Sequence, residues 1–361
     1  MAIIDRKSLI PMYHQLAQIL KEQIDSGIIH PGDKLPSESE MIAQYGIGRL
    51  TVRQALAQLA KDDYIEKIQG KGTYCKHPAH KTNAINIDVL LDMSDTYFIP
   101  YYVKSISEAL SNNNANFIIS DTKDSDAEIC SLIDKITDRG SSGVILQPSH
   151  GLECDHATIH NAFNQLRNAG IPYVMIDSLY DNIDSSYLVL DEKMGGAIAC
   201  DYLSGLNHKR IAIIYVGKYK DSMLRVNGFV EQMKSRGQDN LKNIRMVERD
   251  DTLEDNIAKL MANDKRPTAF FCYNDETALR CLKKLKALNI NVPDQVSVLG
   301  FDDSLIATNS APALTTIAHP KGLMGKSAVD GLFDLINHKT NGPYIKVFDP
   351  VLIIRDSCKK I

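Results

Sequence analysis

Two sets of residues in this sequence have the types and spacing that chemistry needs. The first lies in the segment GIGRLTVRQALAQL, where Arg49 and Arg53 stand four residues apart among apolar residues with helical spacing. Two arginines on one side of a helix can donate hydrogen bonds to phosphates or to a guanine edge. The segment therefore suggests either a phosphate site or a surface that reads DNA.

The phosphate site is the weaker of these two interpretations. The segment lacks the third glycine and the preceding strand of a dinucleotide-binding fingerprint, and no G-x-x-x-x-G-K-[ST] motif follows it. A helix here would turn Val52, Ala55, Leu56 and Leu59 toward a core, and would leave the arginines outside. The remaining alternative is a plain three-helix core whose arginines are only solvated.

The second set comprises polar and aromatic residues that follow short apolar runs further along the chain. In an open α/β sheet, ligands bind outside the carboxyl ends of the strands, so these residues are candidates for one cleft. Carboxylates, amides, an arginine and aromatic rings together suit a polyhydroxylated ligand, although each residue alone also suits a cap or a turn. The candidate ligand contacts are Asp95, Tyr97, Phe98, Ser120, Gln147, Asp177, Arg225, Asn274, Asp275 and Asp302. Asp92, Asp121 and Asp303 also end such runs.

The elements that must position the first set occupy about the first 75 residues. One helix is predicted between Pro11 and Gly27, and a second begins at the cap Ser37, with Glu40 at capping-box spacing, and stops near Gly46. The third helix starts within GRLTVRQ. The run YIEKIQGKGTYC predicts two short strands joined across Gly70, Lys71 and Gly72 as a hairpin or wing.

These elements together predict a winged helix-turn-helix. Residues 49–76 hold six basic and three acidic side chains, in a chain whose formal net charge is −4. A local basic face of this kind suits contact with phosphates. The candidate DNA contacts are Ser37, Glu38, Arg49, Leu50, Thr51, Arg53, Gln54, Lys71 and Gly72.

The remainder of the chain has a different pattern. The polar stretch KHPAHKTN, residues 77–84, is predicted to be a linker between a DNA-binding domain at 1–76 and a second domain at 85–361. From residue 85, short apolar runs alternate with helical-length segments, which predicts parallel sheets with crossover helices. The runs are NIDVLLD, NFIIS, GVILQP, PYVMID, SYLVLD, RIAIIYVG, TAFFCY and VSVLGFD. About 275 residues are more than a domain built on a single sheet usually contains. We therefore expect two α/β lobes that bind an effector and form a dimer.

Composition narrows the class of protein. No apolar leader is present and the longest apolar runs are too short for a bilayer, which predicts a cytoplasmic protein. The seven cysteines lack a C-x-x-C spacing, so we expect free thiols rather than disulfides or a zinc site. No metal or cofactor is predicted.

Residues 9–75 resemble the winged helix-turn-helix domain of the GntR family of bacterial regulators. That family has a pattern of the type LPSE, L-A, G-VSR-TVR-AL and G-G-T, which is met by LPSESEMIAQYGIGRLTVRQALAQL and QGKGTYC. The chain departs from it at Gly48, where Ser is usual, and at Leu50, where a polar residue is usual. The resemblance implies that the third helix and the wing bind DNA.

Residues 85–358 resemble the effector-binding module of the LacI/GalR family, which is similar to periplasmic sugar-binding proteins. The segments RVNGFVEQM, TAFFCYNDETAL, VSVLGFDDSLIA and ALTTIAHP carry this resemblance. It implies that Arg225, Asn274 or Asp275, and Asp302 contact the effector. The union of the two modules, with CYNDETAL, HPKGLMGK and PVLIIRDS, is similar to the arabinose repressors and implies L-arabinose as the effector.

The expected function is that of a homodimeric repressor that binds double-stranded operator DNA and is released by a small sugar. Two alternatives keep the fold: the effector promotes DNA binding, or it is another sugar or a purine. A third alternative is a carbohydrate-active enzyme that uses Asp275, Asp302 and Asp303 as a glycosidase pair or metal site. No grouping of nucleophile, base and orienting residue supports an enzyme.

Overall fold

The computed structural model describes residues 4, 11–25, 28–30, 32–61, 64–68, 71–76, 85–94, 97–150, 156–180, 183–237, 244–339 and 342–361. The chain divides into two compact units, residues 1–84 and 85–361. Four features named above lie outside the described residues, namely the linker at 77–84, the helix stop at Gly27, the turn residue Gly70 and the candidate Asp95.

The first unit contains, in chain order, three helices and a hairpin: α1 (Met12–Asp25), α2 (Glu38–Tyr45), α3 (Arg49–Lys61), β1 (Ile65–Ile68) and β2 (Gly72–Cys75). The capping box at α2 forms as predicted, because the Ser37 hydroxyl accepts from the Glu40 amide and the Glu40 carboxylate accepts from the Ser37 amide. Gly46 ends α2 in the left-handed conformation, with φ of 65°.

Helix α3 buries one side and exposes the other. Val52, Ala55 and Leu59 are fully buried in a core shared with Leu16 and Met41 of the preceding helices. The helix starts directly after Gly48, whose carbonyl accepts the first helical hydrogen bond. The opposite side of the helix therefore carries its arginines outward.

The hairpin pairs β1 with β2 in antiparallel register, from Ile65 opposite Cys75 to Ile68 opposite Gly72. Gly72 has φ of 127°, and a Cβ there would lie 2.6 Å from the Lys34 side chain. Lys34 itself forms a bridge to Tyr74, so the segment before α2 packs along the wing.

The second unit alternates strands and helices. Its strands are β3 (Asn86–Leu91), β4 (Asn116–Asp121), β5 (Gly143–Leu146), β6 (Tyr173–Ile176), β7 (Ser186–Leu190), β8 (Ile211–Tyr215), β9 (Ile244–Glu248), β10 (Ala269–Cys272), β11 (Ser297–Asp302), β12 (Thr315–Ala318), β13 (Ile345–Phe348) and β14 (Val351–Ile353). Its helices are α4 (Ile99–Asn112), α5 (Asp126–Arg139), α6 (His156–Asn168), α7 (Glu192–Gly205), α8 (Lys220–Ser235), α9 (Leu253–Met261), α10 (Asp275–Ala287), α11 (Leu305–Asn309) and α12 (Lys321–Ile336).

Within the described ranges these strands form two six-stranded sheets. The first has the order β13-β7-β6-β5-β3-β4 and is parallel throughout. The second has the order β14-β12-β11-β10-β8-β9, and its β14 is antiparallel to β12. We call residues 85–190 and 321–348 the first lobe, and residues 192–318 and 351–361 the second lobe. The predicted α/β architecture, a small winged helix-turn-helix unit followed by two α/β lobes, is confirmed.

The chain passes between the lobes at Asp191, at 319–320 and at 349–350. Helix α12 follows the second of these crossings and packs in the first lobe, where Met324, Ala328 and Leu332 share a core with residues of α4. The strands read as continuous apolar runs because helices cover both faces of each sheet. Four strands, β9, β12, β13 and β14, were not among the runs expected from the sequence.

None of the helices that the structure describes has both the length and the apolar character needed to cross a membrane. The cysteines within the same residues are free thiols, as predicted.

Candidate functional site

A cavity of about 280 Å³ lies between the two lobes, at the carboxyl ends of their parallel strands. Loops that follow strands of both sheets converge there, so each lobe supplies one wall. The cavity is lined by Asp92, Ser94, Tyr97, Phe98, Asp124, Gln147, His150, Asp177, Tyr219, Asp221, Arg225, Arg249, Tyr273, Asn274, Glu276, Asp302 and His319.

Most of the residues predicted to contact a ligand come together in this lining. They are Tyr97, Phe98, Gln147, Asp177, Arg225, Asn274 and Asp302. Ser120 lies in β4 and Asp275 is fully buried beneath the cavity, so neither belongs to the lining.

Asp177 organises the wall that the first lobe provides. It follows β6 with φ of 74°, a left-handed conformation that is uncommon for residues other than glycine, although aspartate tolerates it better than most. Its carboxylate accepts hydrogen bonds from Tyr102 Oη at 3.0 Å and Gln147 Nε2 at 2.9 Å, and lies 3.1 Å from His319 Nε2. Burial opposes ionisation, but the hydrogen bond and charge of His319 hold the pKa of Asp177 well below its usual range.

His150 is an imidazole of this wall that lies among carboxylates. Its Nε2 lies 3.3 Å from Gln147 Nε2, and its amide donates to Asp124 at 2.7 Å. Burial would lower the pKa of His150, but the surrounding carboxylates, Asp221 first, raise it above its ordinary value. The carboxylates around the cavity therefore favour the protonated form of this imidazole.

Arg225 organises the wall that the second lobe provides. Its Nε and Nη2 donate to Glu192 at 2.6 and 3.1 Å, and its Nη1 donates to the Tyr273 carbonyl at 2.6 Å. The guanidinium lies 3.6 Å from the centroid of the Phe301 ring and 3.7 Å from Asp302. Burial raises the pKa of Glu192 to about 7 against the opposing charge of Arg225. The arginine therefore lines the cavity from a fixed position.

Asp302 ends β11 with φ of 100° and points its carboxylate into the cavity. Tyr97 of the first lobe donates to it across the cavity, with its Oη at 3.3 Å. This contact joins the two walls directly, so the structure holds the lobes together at this point.

Asp275, the neighbour of the cavity residue Asn274, is buried beneath the cavity and binds neighbouring segments of the second lobe. Its carboxylate accepts from the Ser304 amide at 2.8 Å and from Thr316 Oγ1 at 2.6 Å. Burial, followed by the charge of Asp302, raises the pKa of Asp275 to about 7. A Cβ on Gly300 would lie 2.2 Å from its Oδ1, so a glycine is required at that position of β11.

Asn274 faces the cavity and also caps α10. Its Oδ1 accepts from the Thr277 amide at 2.9 Å and from Thr277 Oγ1 at 2.7 Å. Since the cap uses the amide oxygen, the amide nitrogen is the group of Asn274 that a ligand can reach.

Several cavity residues were not predicted from the sequence. Arg249 follows β9 and His319 follows β12, and both strands were absent from the expected runs. Because ligands in such folds bind outside the carboxyl ends of the strands, both residues would have been candidates if their strands had been recognised in the sequence. Asp92, which was expected at a strand end, also lines the cavity. The other cavity residues that were not expected are Ser94, Asp124, His150, Tyr219, Asp221, Tyr273 and Glu276.

The chemistry of the lining favours an uncharged ligand rich in hydroxyl groups. Carboxylates outnumber guanidinium groups, so an anion would be repelled, whereas sugar hydroxyls can donate to carboxylates. Four aromatic rings offer apolar surface to the C–H faces of a ring. No group of three or more His, Cys, Asp or Glu in the described part of the chain is arranged to hold a metal ion.

The residues predicted to contact DNA lie on α2, on the outward face of α3 and on the hairpin. Leu50 is 71% exposed, and Arg53 Nε donates to Glu38 at 2.9 Å. Glu38 also lies 3.8 Å from Lys67 of β1, so it links the three elements. Ser37 is used by the capping box, while Arg49, Gln54 and Lys71 are exposed and Thr51 is half-buried.

Two protein-family models match the chain. Residues 12–75 match the bacterial regulatory proteins of the gntR family, and residues 200–358 match the periplasmic binding protein-like domain. Among solved structures, a LacI family transcriptional regulator from Enterococcus faecium with bound ribose has a TM-score of 0.65 at 23% identity, and the match covers 76% of this chain and 99% of that one. This likeness shows the fold of the second unit.

Curated relatives match along nearly the whole chain. The arabinose metabolism transcriptional repressor of Geobacillus stearothermophilus is 30% identical over 365 residues, which cover 99% of this chain and 100% of the relative. That of Halalkalibacterium halodurans is 28% identical, with 96% of each chain covered. These relatives are transcriptional repressors and not enzymes, which removes the alternative of a carbohydrate-active enzyme. The chain belongs to the family of the arabinose metabolism transcriptional repressors.

Proposed function

We propose that L-arabinose binds in the cavity between the two lobes and releases the repressor from its operator. The observation that carries this proposal is the lining of the cavity, in which carboxylates, amides and aromatic rings from both lobes surround about 280 Å³. The names of the two relatives that match over the whole chain support arabinose as the sugar.

The proposed sugar contacts divide between the lobes. Asp177 and Gln147 of the first lobe, with Asn274 and Asp302 of the second, offer acceptors and donors on opposite walls. Arg225 offers its guanidinium from the position that Glu192 holds. A pentose that engages both walls would stabilise the closed arrangement of the lobes.

Release then follows from differential affinity. A ligand shifts a conformational equilibrium only by as much as it prefers one form, and a shift from 1:99 to 99:1 requires about 5.5 kcal/mol. The hydrogen bonds of one buried sugar can supply this preference, since those that involve charged groups contribute about 1.5–3 kcal/mol each. A closed module would change how two copies of the chain pack, and so the spacing of their α3 helices.

The DNA contacts are proposed on the first unit, with residues 1–76 as the reading domain and residues 77–84 as the linker. Arg49, Leu50, Arg53 and Gln54 of α3 would face base edges in the major groove, and Lys71 of the hairpin would meet a phosphate. A homodimer would place two such helices on a palindrome-like operator, and the cytoplasm is the compartment in which it would act.

The proposal is tested by titrating a complex of the full chain with operator DNA, where the operator is selected by the protein itself from random duplexes. L-arabinose should release the DNA, while D-ribose, D-xylose and D-glucose should do so only at much higher concentration. L-arabinose 5-phosphate is the matched probe of charge, and the acidic lining should reject it.

Three other results of this titration would each contradict one part of the proposal. Release by a nucleobase alone would identify a purine effector and contradict the proposed sugar. Tighter operator binding with L-arabinose would identify a co-repressor and reverse the proposed output. Release by the phosphorylated sugar would contradict the interpretation of the cavity.

A further inference from the structure

Lys321 is a buried lysine that connects the two lobes behind the cavity. It is the first residue of α12 and is only 4% exposed. Helix α12 belongs to the first lobe, where Gly325 packs closely against Ser105 and Ile106 of α4. The ammonium of Lys321 nevertheless donates to the carbonyl oxygen of Asp302 in the second lobe.

Aromatic rings of the first lobe complete the surroundings of this ammonium. Its Nζ lies 5.1 Å from the centroid of the Phe98 ring and 5.4 Å from that of Tyr101, distances typical of cation–π contacts. Its Nζ is also 3.4 Å from the carbonyl oxygen of His319, at the crossing between the lobes. One charged group therefore contacts both lobes and one of the segments that join them.

The residue to which Lys321 donates is the one that also faces the ligand. The Asp302 carboxylate lines the cavity, 3.3 Å from Tyr97 Oη and 3.7 Å from Arg225. Its backbone has φ of 100°, a conformation that is unfavourable for a residue other than glycine and persists where surrounding contacts support it. The bond from Lys321 to the Asp302 carbonyl is such a contact.

We propose that Lys321 is a positioning residue that couples ligand binding at Asp302 to the relative orientation of the two lobes. The identity of the ligand used in the test rests on the proposed function. When the Asp302 carboxylate engages a ligand, its carbonyl stays fixed to an ammonium carried by the first lobe. The end of β11 and the start of α12 must then move together.

The charge of Lys321 is essential to this role. The carboxylates of Asp302, Asp275, Asp303 and Asp177 favour the ammonium, while burial acts in the other direction and lowers the pKa of Lys321. An apolar side chain of similar length could still pack on the rings, but it would leave the Asp302 carbonyl without its donor. The coupling should therefore depend on the cation and not only on the volume of the side chain.

The test compares Lys321→Met with Lys321→Arg in the full chain. The measured quantity is the ratio of operator Kd values with saturating L-arabinose and without it. We expect Lys321→Met to lower this ratio about tenfold and Lys321→Arg to restore most of it, because Arg keeps the charge and the donors. Lys326→Met, an exposed position on the same helix, is the control and should leave the ratio unchanged.

A second pair of variants covers the case in which Lys321→Met fails to fold. Tyr101→Leu removes a ring that faces the ammonium, and Tyr101→Phe keeps it. The ratio should fall with Leu and stay near the wild-type value with Phe. A wild-type ratio in both Lys321→Met and Tyr101→Leu, or an equal loss in Lys321→Arg and Lys321→Met, would overturn the proposal.

A further measurement separates this proposal from the identity of the sugar. Nitroxides placed at residues 123 and 251, through an unnatural amino acid, report the distance between the lobes by pulsed electron spin resonance in the sugar-free chain. We expect a broader distribution in Lys321→Met than in the wild type or Lys321→Arg, and identical distributions would contradict the proposal. A wild-type complex that L-arabinose fails to release would overturn the proposed sugar alone.

Discussion

The guanidinium of Arg225 is held by the carboxylate of Glu192, with Nε at 2.6 Å and Nη2 at 3.1 Å from its two oxygens. Glu192 lies immediately after the first crossing between the lobes, and Arg225 lies on α8. Both side chains are more than nine-tenths buried. The cavity therefore presents an arginine whose position is set before any ligand arrives, which lowers the entropic cost of binding.

Replacing Glu192 with Ala should destabilise the fold, because it leaves a buried guanidinium unpaired. We expect the free energy of unfolding to fall by about 3–5 kcal/mol, measured by denaturant titration. Glu231→Ala is the matched control, since Glu231 forms an exposed pair with Lys193 at 2.9 Å and should cost less than about 1 kcal/mol. Equal losses in the two variants would show that the Glu192 pair contributes no more than a surface pair.

Asp302→Asn should separate DNA binding from induction. The amide keeps the size of the side chain, but it removes the negative charge that a sugar hydroxyl would meet. We expect L-arabinose affinity, measured by calorimetry, to fall about tenfold to a hundredfold, while operator binding without sugar stays at the wild-type level. A variant that is still released at the wild-type sugar concentration would remove Asp302 from the site.

Asp275 should make stability depend on pH. Its folded pKa of about 7 lies above the ordinary value of 3.8, so its contribution is complete below the lower value and is lost as pH rises to the upper one. Between about pH 5 and pH 8, the wild type should lose about 2–3 kcal/mol relative to Asp275→Asn, which has no carboxylate to ionise.

Urea unfolding of both proteins across this range measures the difference. Asp349→Asn, at an exposed position, is the control and should run parallel to the wild type. If Asp275→Asn also ran parallel, the burial of Asp275 would not influence stability in this range.

Gly300→Ala should disrupt the base of the cavity. The new Cβ would lie 2.2 Å from Asp275 Oδ1, and overpacking of this kind costs about 1–3 kcal/mol. Gly322→Ala in α12 is the matched control, because a Cβ there would meet no atom within 4 Å beyond its chain neighbours and the backbone of its own helix. Ala is also a better helix former than Gly, by up to about 1 kcal/mol. Thermal unfolding should move in opposite directions for the two variants, and a shared direction would contradict the packing argument.

Arg53→Ala should weaken operator binding and leave sugar affinity intact. Arg53 is exposed on α3 and is oriented by Glu38. Loss of a base contact should raise the operator Kd by about 5- to 150-fold, measured by fluorescence anisotropy. Lys61→Ala, at the far end of the same helix, should have a smaller effect. If Arg53→Ala reduced sugar affinity as strongly as operator affinity, the assignment of the two functions to separate units would fail.

Much of the architecture could be predicted from local sequence signals. Ser37 with Glu40 and Gly46 delimit α2 as expected, because caps depend on residues three or four apart. Gln147, Asp177 and Asn274 were expected near one another because each follows a strand, and all three line one cavity although they are far apart in the sequence. Signals that act over short distances, or through the geometry of a parallel sheet, are therefore readable without a structure.

The contacts between residues that lie far apart in the sequence could not be predicted. Glu192 and Arg225 are 33 residues apart in the sequence. Lys321 begins a helix of the first lobe, but it donates to the carbonyl oxygen of Asp302 at the end of a strand of the second lobe. Nothing in the neighbourhood of Asp275 distinguishes it from Asn274, yet one turns inward to Ser304 and the other faces the cavity. These contacts depend on how distant parts of the chain pack against each other, which no local pattern encodes.

The three crossings between the lobes also govern how the chain can be made. When the ribosome has released residues 85–190, the first lobe still lacks α12 and its edge strand β13. Those elements emerge only after the second lobe has been almost fully synthesised, so the first lobe must wait for residue 348 to complete its sheet. A first lobe produced on its own would need residues 321–348 spliced directly after residue 190.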